Sequence, residues 1–342
     1  TACKWYCQIP ENYTGICSVR LNKKGDLYLL VHSKPVSYHL DPIEKKPLYH
    51  FLPGTKIFSL GTYGCNFACE FCQNWEISQT PKLLKTQFLQ EKRQNGFPNA
   101  LIDFIDKNSS NLPPQEIVDH CIRNHIPSIA FTYNEPTIFA EYAYDTMKIA
   151  KKHKIAGVFV SSGYESKETL DLLEGYIDAY NIDIKGGAKE FYEKISHTSL
   201  KLVLETVEEI FKRKKWLEIT TLLVPGLNTL DKDIRFIARF IARLSKDIPW
   251  HVTSFYPHYK MAHLPPTDLD TLKRGYQTGK EEGLNFVYTG NIPDSDTEST
   301  YCPACKTLLI ERYGYSTEIK SLDLEKGSCQ KCQQKIPGVW KL

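Results

Sequence analysis

The sequence predicts an α/β fold: a partial (β/α) TIM-like barrel with a small cysteine-containing β unit before it and a C-terminal zinc-ribbon or rubredoxin-like unit after it. Three observations carry this. Between Thr55 and Gly290, short apolar runs alternate with helix-period patterns, as a parallel sheet with crossover helices requires. The cysteines, eleven in all, concentrate in three groups, which in a chain this long suggests metal ligands in a reducing compartment and not a disulfide framework. At 342 residues the chain is long enough for two or three structural units. The expected division is 1–54, 55–292 with an insertion at 77–112, and 293–342.

In chain order, Cys3, Cys7 and Cys17 lie close together and suggest an additional metal site; a cysteine-rich entry segment without metal is the alternative. Asn22-Lys23-Lys24-Gly25-Asp26 is a turn between two short strands, and Asp41–Pro47 is expected to be an extended linker, because each proline disfavours helix in the residue before it. The expected barrel strands are Lys56–Gly61, Ser128–Thr132, Ala156–Ser161, Ala179–Ile184, Trp216–Val224, Val252–Tyr256 and Asn285–Tyr288. Helices fit between them at Pro114–Asn124, Thr137–Lys152, Lys167–Glu174, Leu200–Lys212, Lys232–Leu244 and Leu269–Glu282. Ile77–Leu112 exceeds an ordinary loop and predicts a partly helical lid.

Composition narrows the function. A net charge of +3 with 24% charged residues gives no nucleic-acid footprint at the level of the whole chain. No apolar run approaches the roughly 18 residues that span a bilayer, and no signal-peptide core is present, so a soluble, cytoplasmic protein is expected.

The chemistry concentrates after the first barrel strand, where Cys65, Cys69 and Cys72 stand three and then two residues apart. Three thiolates in one short loop can hold three corners of a [4Fe–4S] cluster and leave one iron open. Phe67, Phe71 and Trp75 are placed to keep water from the sulfurs, and the alternatives are chance core cysteines or a structural zinc site. In a parallel barrel, chemistry belongs at the C-terminal strand ends. Those ends offer Asn134 and Glu135 before Pro136, Ser161 and Ser162, and Asp183 with Lys185, whose spacing puts both charges on one side of a strand. A structural salt bridge is the alternative for that pair. Tyr256 follows as a cofactor-binding candidate, and Tyr256, His251 and His258 as candidates for substrate contact. Cys302-x₂-Cys305 and Cys329-x₂-Cys332 are paired knuckles of the kind that close a tetrahedral structural site; zinc is expected, with rubredoxin-like iron as the alternative.

The cysteine loop resembles the signature of radical S-adenosylmethionine (radical SAM) enzymes. The resemblance implies that SAM chelates the open iron and that an electron from the cluster splits it into methionine and a 5′-deoxyadenosyl radical. It further implies SAM contacts at the segment Tyr133-Asn134-Glu135-Pro136, which is similar to a Gly-Gly-Glu-Pro element, and at Asp183-Ile184-Lys185, which resembles the Asp-Leu-Lys element of glycyl-radical activating enzymes. The turn Leu223-Val224-Pro225-Gly226-Leu227-Asn228 resembles the one flanking adenine in that family. Longer runs, including Asp41-Pro42-Ile43-Glu44-Lys45-Lys46-Pro47 and Cys72-Gln73-Asn74-Trp75-Glu76-Ile77-Ser78, resemble the AmmeMemoRadiSam-system radical SAM enzymes, relatives of the pyruvate formate-lyase activating enzymes. The implied reaction is hydrogen abstraction from a small-molecule substrate, or from a glycine of a partner protein, with an external electron donor such as ferredoxin or flavodoxin. An electron carrier or scaffold without SAM chemistry is the alternative of another class; it has no need of the polar strand ends.

Overall fold

The computed structural model describes residues 2–90, 97–292 and 295–342. Thr1, residues 91–96 of the expected insertion, and 293–294 at the expected start of the C-terminal unit lie outside the described residues. The chain opens with an antiparallel hairpin of β1 (Arg20–Lys23) and β2 (Asp26–Leu29). Its two turn residues, Lys24 and Gly25, have φ of 56° and 89°, as a tight hairpin of right-handed twist needs.

The central sheet has eight strands, each paired with the next in chain order. They are β3 (Ser37–Pro42), β4 (Lys56–Gly61), β5 (Ser128–Phe131), β6 (Ala156–Ser161), β7 (Ala179–Asp183), β8 (Trp216–Leu223), β9 (Trp250–Ser254) and β10 (Val287–Gly290). Strands β4 to β10 run parallel, whereas β3 is antiparallel to β4. Among the described residues β10 and β3 are not paired, so the barrel is partial. The seven expected strands are all present. Two are displaced by about two residues; in β9 the reason is that Phe255 leaves the sheet, its N–H donating to Thr267 Oγ1 at 2.8 Å ahead of Pro257.

The linker expected at Asp41–Pro47 is corrected. Its first two residues end β3, and a 3₁₀ turn at Ile43–Lys45 follows. Pro42 is tolerated because it closes an edge strand, where no ladder N–H is required of it. Asp41 is buried, accepting from Lys46 Nζ at 2.7 Å and Lys45 Nζ at 3.0 Å.

Helices cover the outside of the sheet: α1 (Trp75–Ser78), α2 (Thr80–Gln90), α3 (Phe97–Asn108), α4 (Pro114–Arg123), α5 (Ala140–Ala150), α6 (Lys167–Leu172), α7 (Lys189–Phe191), α8 (Leu200–Lys212), α9 (Asp231–Leu244), α10 (Leu269–Glu281) and α11 (Ser295–Glu298). The expected insertion is thus largely helical where described. In α9, Ile234, Ile237, Ala238 and Ile241 are buried at i, i+3, i+4 and i+7, so one stripe packs on the sheet while the arginines face outward. Ser166 and Asp268 cap α6 and α10 by accepting from the N–H of Thr169 and Thr271.

The C-terminal unit contains β11 (Thr300–Tyr301), β12 (Leu308–Tyr313), β13 (Ser316–Ile319), β14 (Leu322–Asp323) and β15 (Ser328–Cys329). It shares an apolar cluster with Tyr49 and with Phe286 and Tyr288 of the barrel. Beneath that cluster lies a buried polar network. Glu218 accepts from the N–H groups of Tyr49 and His50 at 3.0 and 2.8 Å and pairs with His251 Nε2 at 2.6 Å. His50 bonds to Tyr288 Oη at 2.6 Å and to the Pro337 carbonyl at 2.7 Å. Arg312, fully buried, donates to the Tyr49 carbonyl at 2.7 Å and stacks 4.2 Å over that ring. No helix among the described residues is long and apolar enough to cross a membrane.

Candidate functional site

A cavity of about 250 Å³ opens at the C-terminal ends of the parallel strands. Cys65, Cys69 and Cys72 all line it, together with Phe71, Asn134, Ser162, Asp183 and Lys185. Four expected site residues from three distant segments, Asn134, Ser162 and Asp183 with Lys185, thereby meet the cysteine loop in one place. The loop is fixed mainly by backbone contacts. Gly64 N–H donates to the Ile77 carbonyl at 2.9 Å, Ala68 and Glu70 N–H to the carbonyls of Ser196 and Ile195 at 3.3 and 3.1 Å, and Phe67 N–H to Cys65 Sγ at 3.3 Å. Gly64 has φ of 90° and no room for a Cβ, which would stand 2.6 Å from the Cys17 carbonyl.

All three thiols are free, and burial pushes each of them up, that of Cys69 to about 11. Isolated thiolates are therefore disfavoured, and a multiply charged metal centre is what would hold the sulfurs deprotonated. Lys82, from α2, donates to the Phe67 carbonyl and lies within electrostatic range of all three sulfurs. The donor set and its positive surroundings fit an iron–sulfur cluster.

Asn134 ties the second strand end to the loop: its Nδ2 donates to the Gly64 carbonyl at 2.7 Å, and its Oδ1 accepts from Thr62 N–H at 3.2 Å. Tyr133, standing where a glycine is expected, adopts φ of 69°. This otherwise unfavourable conformation is held from outside, since its hydroxyl donates to Asp41 at 2.7 Å and Lys46 lies 4.4 Å over its ring. The Asp41–Lys46 segment is thus a support for the strand-end turn.

Asp183 and Lys185 pair at 2.6 Å on the cavity wall; burial by itself works against the Lys185 ammonium, but Asp183 and Cys69 beside it outweigh burial and keep it charged. Asn228 Nδ2 donates to the Lys185 carbonyl at 2.7 Å while its Oδ1 accepts from Val224 N–H at 2.6 Å, locking the Val224–Asn228 turn against β7.

Other expected residues are elsewhere. Glu135 does not line the cavity; its buried carboxylate accepts from Thr137 Oγ1 at 2.8 Å, Ser161 Oγ at 2.7 Å and Ser162 N–H at 2.7 Å. Glu135 and Ser161 therefore brace two strand ends against each other. Val224 is buried outside the cavity wall. Tyr256 is half exposed and donates to the Asn291 carbonyl at 2.7 Å. It lines a second cavity of about 460 Å³ with Tyr49 and His251, and Thr253 belongs to the walls of both cavities.

Sequence reading missed Gln79, Thr220, Leu222 and Thr253 on the first wall. For the last three the period of two along β8 and β9 was an available signal, since Glu218, Thr220 and Leu222 face one way. Gln79 and Lys82, on the insertion, carry none.

The four C-terminal sulfurs all lie within 4.8 Å of one another, with Cys302–Cys332 at 3.6 Å and Cys305–Cys329 at 3.7 Å. Lys306 and Gln333 follow the two knuckles with φ of 61° and 62°, and each donates its N–H to the first cysteine's carbonyl, at 3.0 and 2.9 Å. The knuckles thus share one turn geometry, and the unit fits a zinc-ribbon-like site.

Residues 59–241 match the family model of the radical SAM superfamily, and the chain belongs to that superfamily. It is 41% identical over 335 residues to "Uncharacterized protein MJ0808" of Methanocaldococcus jannaschii, covering 98% of this chain and 93% of that one. It is 23% identical over 233 residues to "Putative glycyl-radical enzyme activating enzyme MJ1632" of the same organism, covering 67% and 77%. Among solved structures, a radical SAM methyltransferase from Sphaerobacter thermophilus superposes with a TM-score of 0.51 at 13% identity, over 75% of this chain and 71% of that one, and so shares the fold. Membership makes the protein an enzyme that uses a [4Fe–4S] cluster and SAM.

Proposed function

We propose that Cys65, Cys69 and Cys72 hold the cluster, that Asn134, Ser162, Asp183 and Lys185 receive SAM, and that the enzyme abstracts hydrogen from a small-molecule substrate. The observation that carries this is the convergence of three free thiols, two of them buried, and an opposite-charge pair on one cavity at the strand ends. When bound, the cluster and SAM together supply a 5′-deoxyadenosyl radical. The chain's own part is binding and exclusion. Asp183, paired with Lys185, accepts from a polar group of SAM, Asn134 holds the strand-end turn against the cysteine loop, and Phe67 and Phe71 keep water away. Glu135 and Ser161 act through the backbone they brace.

A small molecule is favoured over a protein loop by the second cavity, which shares Thr253 with the wall of the first and is lined by Tyr49, His251 and Tyr256. The second reading, an activase that installs a glycyl radical on a partner protein, is favoured by the likeness to the putative activating enzyme. Membership of the AmmeMemoRadiSam-system group, the division at 54/55 and 292/293, zinc in the C-terminal site, an electron donor such as ferredoxin or flavodoxin, and a cytoplasmic location complete the proposal. Anaerobic reconstitution with dithionite, SAM and a metabolite extract tests it. Formation of 5′-deoxyadenosine with consumption of one small compound is expected. Turnover only with a protein fraction, leaving a radical on that protein, would favour the activase.

A further inference from the structure

Cys3, Cys7 and Cys17 are used neither by the barrel cavity nor by the C-terminal tetrad, yet the fold groups them, with Cys3 and Cys17 against the barrel's cysteine loop and Cys7 beside Gly15. Cys3 is bridged to Glu165, and the next residues follow it in: Lys4 N–H donates to the Tyr164 carbonyl at 3.0 Å and Trp5 Nε1 to the Asn66 carbonyl at 3.0 Å. Asn66 adjoins Cys65, is 1% exposed, and its Nδ2 has no hydrogen-bond partner. That amide lies beside the Cys3 sulfur. Cys17 sits in the turn closed by Ser18 N–H to the Gly15 carbonyl at 3.1 Å, and its own carbonyl presses on Gly64. Cys7 completes the group, its Sγ 3.6 Å from where a Cβ on Gly15 would stand. Each of the three sulfurs is within electrostatic range of the other two.

The charges around them suit an anionic centre. Lys85 Nζ donates to the carbonyls of Thr14 and Gly15 at 2.8 and 3.3 Å and lies within range of Cys7 and Cys17; Lys82 lies within range of Cys17 and of the three barrel cysteines. The sulfur spacing separates the tetrad from the other two groups. Among the described residues only the C-terminal tetrad draws its sulfurs within 4.8 Å of one another, as one tetrahedral ion requires. Cys65, Cys69 and Cys72 are more widely spread, and so are Cys3, Cys7 and Cys17, which suits a centre with sulfide and several irons between its ligands.

We propose that Cys3, Cys7 and Cys17 hold a second iron–sulfur cluster, adjacent to the one in the barrel. The Asn66 amide beside the Cys3 sulfur, and Lys82 and Lys85 within electrostatic range of Cys17, supply a donor and positive charge next to it. The site does not rest on SAM chemistry, so iron and sulfide content tests it separately from the proposed reaction.

The test uses the whole chain, reconstituted anaerobically with iron and sulfide. A variant with Cys65, Cys69 and Cys72 all changed to alanine is expected to retain about four irons and four sulfides, with cluster absorption. Adding Cys7→Ser, at an exposed position, to that background is expected to abolish them. Circular dichroism and the metal content of the C-terminal tetrad report that both variants fold. In the otherwise unmodified protein, reduction should give an electron paramagnetic resonance signal altered by a neighbouring spin, and Cys7→Ser should simplify it. A triple variant that folds but holds no iron, one that binds zinc in its place, or iron insensitive to Cys7→Ser and Cys3→Ser would each overturn the site.

Discussion

At the scale of single residues, the barrel site depends on groups whose surroundings leave them no second role. Cys69 is buried, its carbonyl accepts from Cys72 N–H at 3.3 Å, and its sulfur faces the cavity. Three ligands are the minimum that leaves one defined open iron, so Cys69→Ala is expected to abolish reductive SAM cleavage. Wild-type yields of 5′-deoxyadenosine from that variant would falsify the assignment. Asp183 is a different case, because removing it leaves the Lys185 ammonium without its 2.6 Å partner in a buried position. Asp183→Ala should weaken SAM binding by about 1–3 kcal/mol, the cost of a lost charge-assisted hydrogen bond, with cluster absorption intact. Calorimetric titration reads this directly, and an unchanged dissociation constant would make the pair a wall salt bridge only.

At the scale of elements, the C-terminal unit is the part least able to stand alone. Its strands are two to six residues long, and its apolar cluster is completed by Tyr49, Phe286 and Tyr288 from outside the unit. A unit of this size seldom sustains a fold on its apolar core, and metal binding at a closed four-cysteine site is largely folding energy. About one zinc per chain beyond the cluster iron is therefore expected in anaerobically purified protein. Replacing Cys329 and Cys332 together should release it and expose the tail to protease while the barrel cluster still forms. One extra iron with a ferric-thiolate spectrum in the purified protein would instead identify a rubredoxin-like site. The insertion shows the converse dependence: α2 brings Lys82 to the cysteine loop, so this helical segment belongs to the site that it covers.

At the scale of the whole molecule, the junction between barrel and C-terminal unit sets a pH dependence. Burial pushes His50 down to about 4, so the native state keeps it neutral between Tyr288 and Pro337. An unfolded histidine titrates near 6.5, so between about pH 6.5 and 4 the unfolded chain binds a proton that the native one refuses. The stability from this group is complete above that window and is lost as pH falls through it. Urea unfolding of His50→Gln should show a flatter acid limb than the parent, and parallel limbs would exclude His50 as its source. How much of this was legible in the sequence follows from range. Strand alternation, helix stripes and the spacings of Cys65, Cys69 and Cys72 and of the two knuckles are local patterns, so they fix the elements, their order and the metal-binding loops without knowledge of packing. The Asp183–Lys185 pair was legible for the same reason, being two residues apart on one strand. Long-range contacts were not. Tyr133 is held by Asp41, 92 residues away, Glu135 is turned from the cavity by Ser161 and Ser162, and Arg312 meets the Tyr49 carbonyl 263 residues away. Which polar strand-end residue faces the cavity and which braces its neighbour is decided by what each meets after the chain has closed, and only the tertiary structure supplies that.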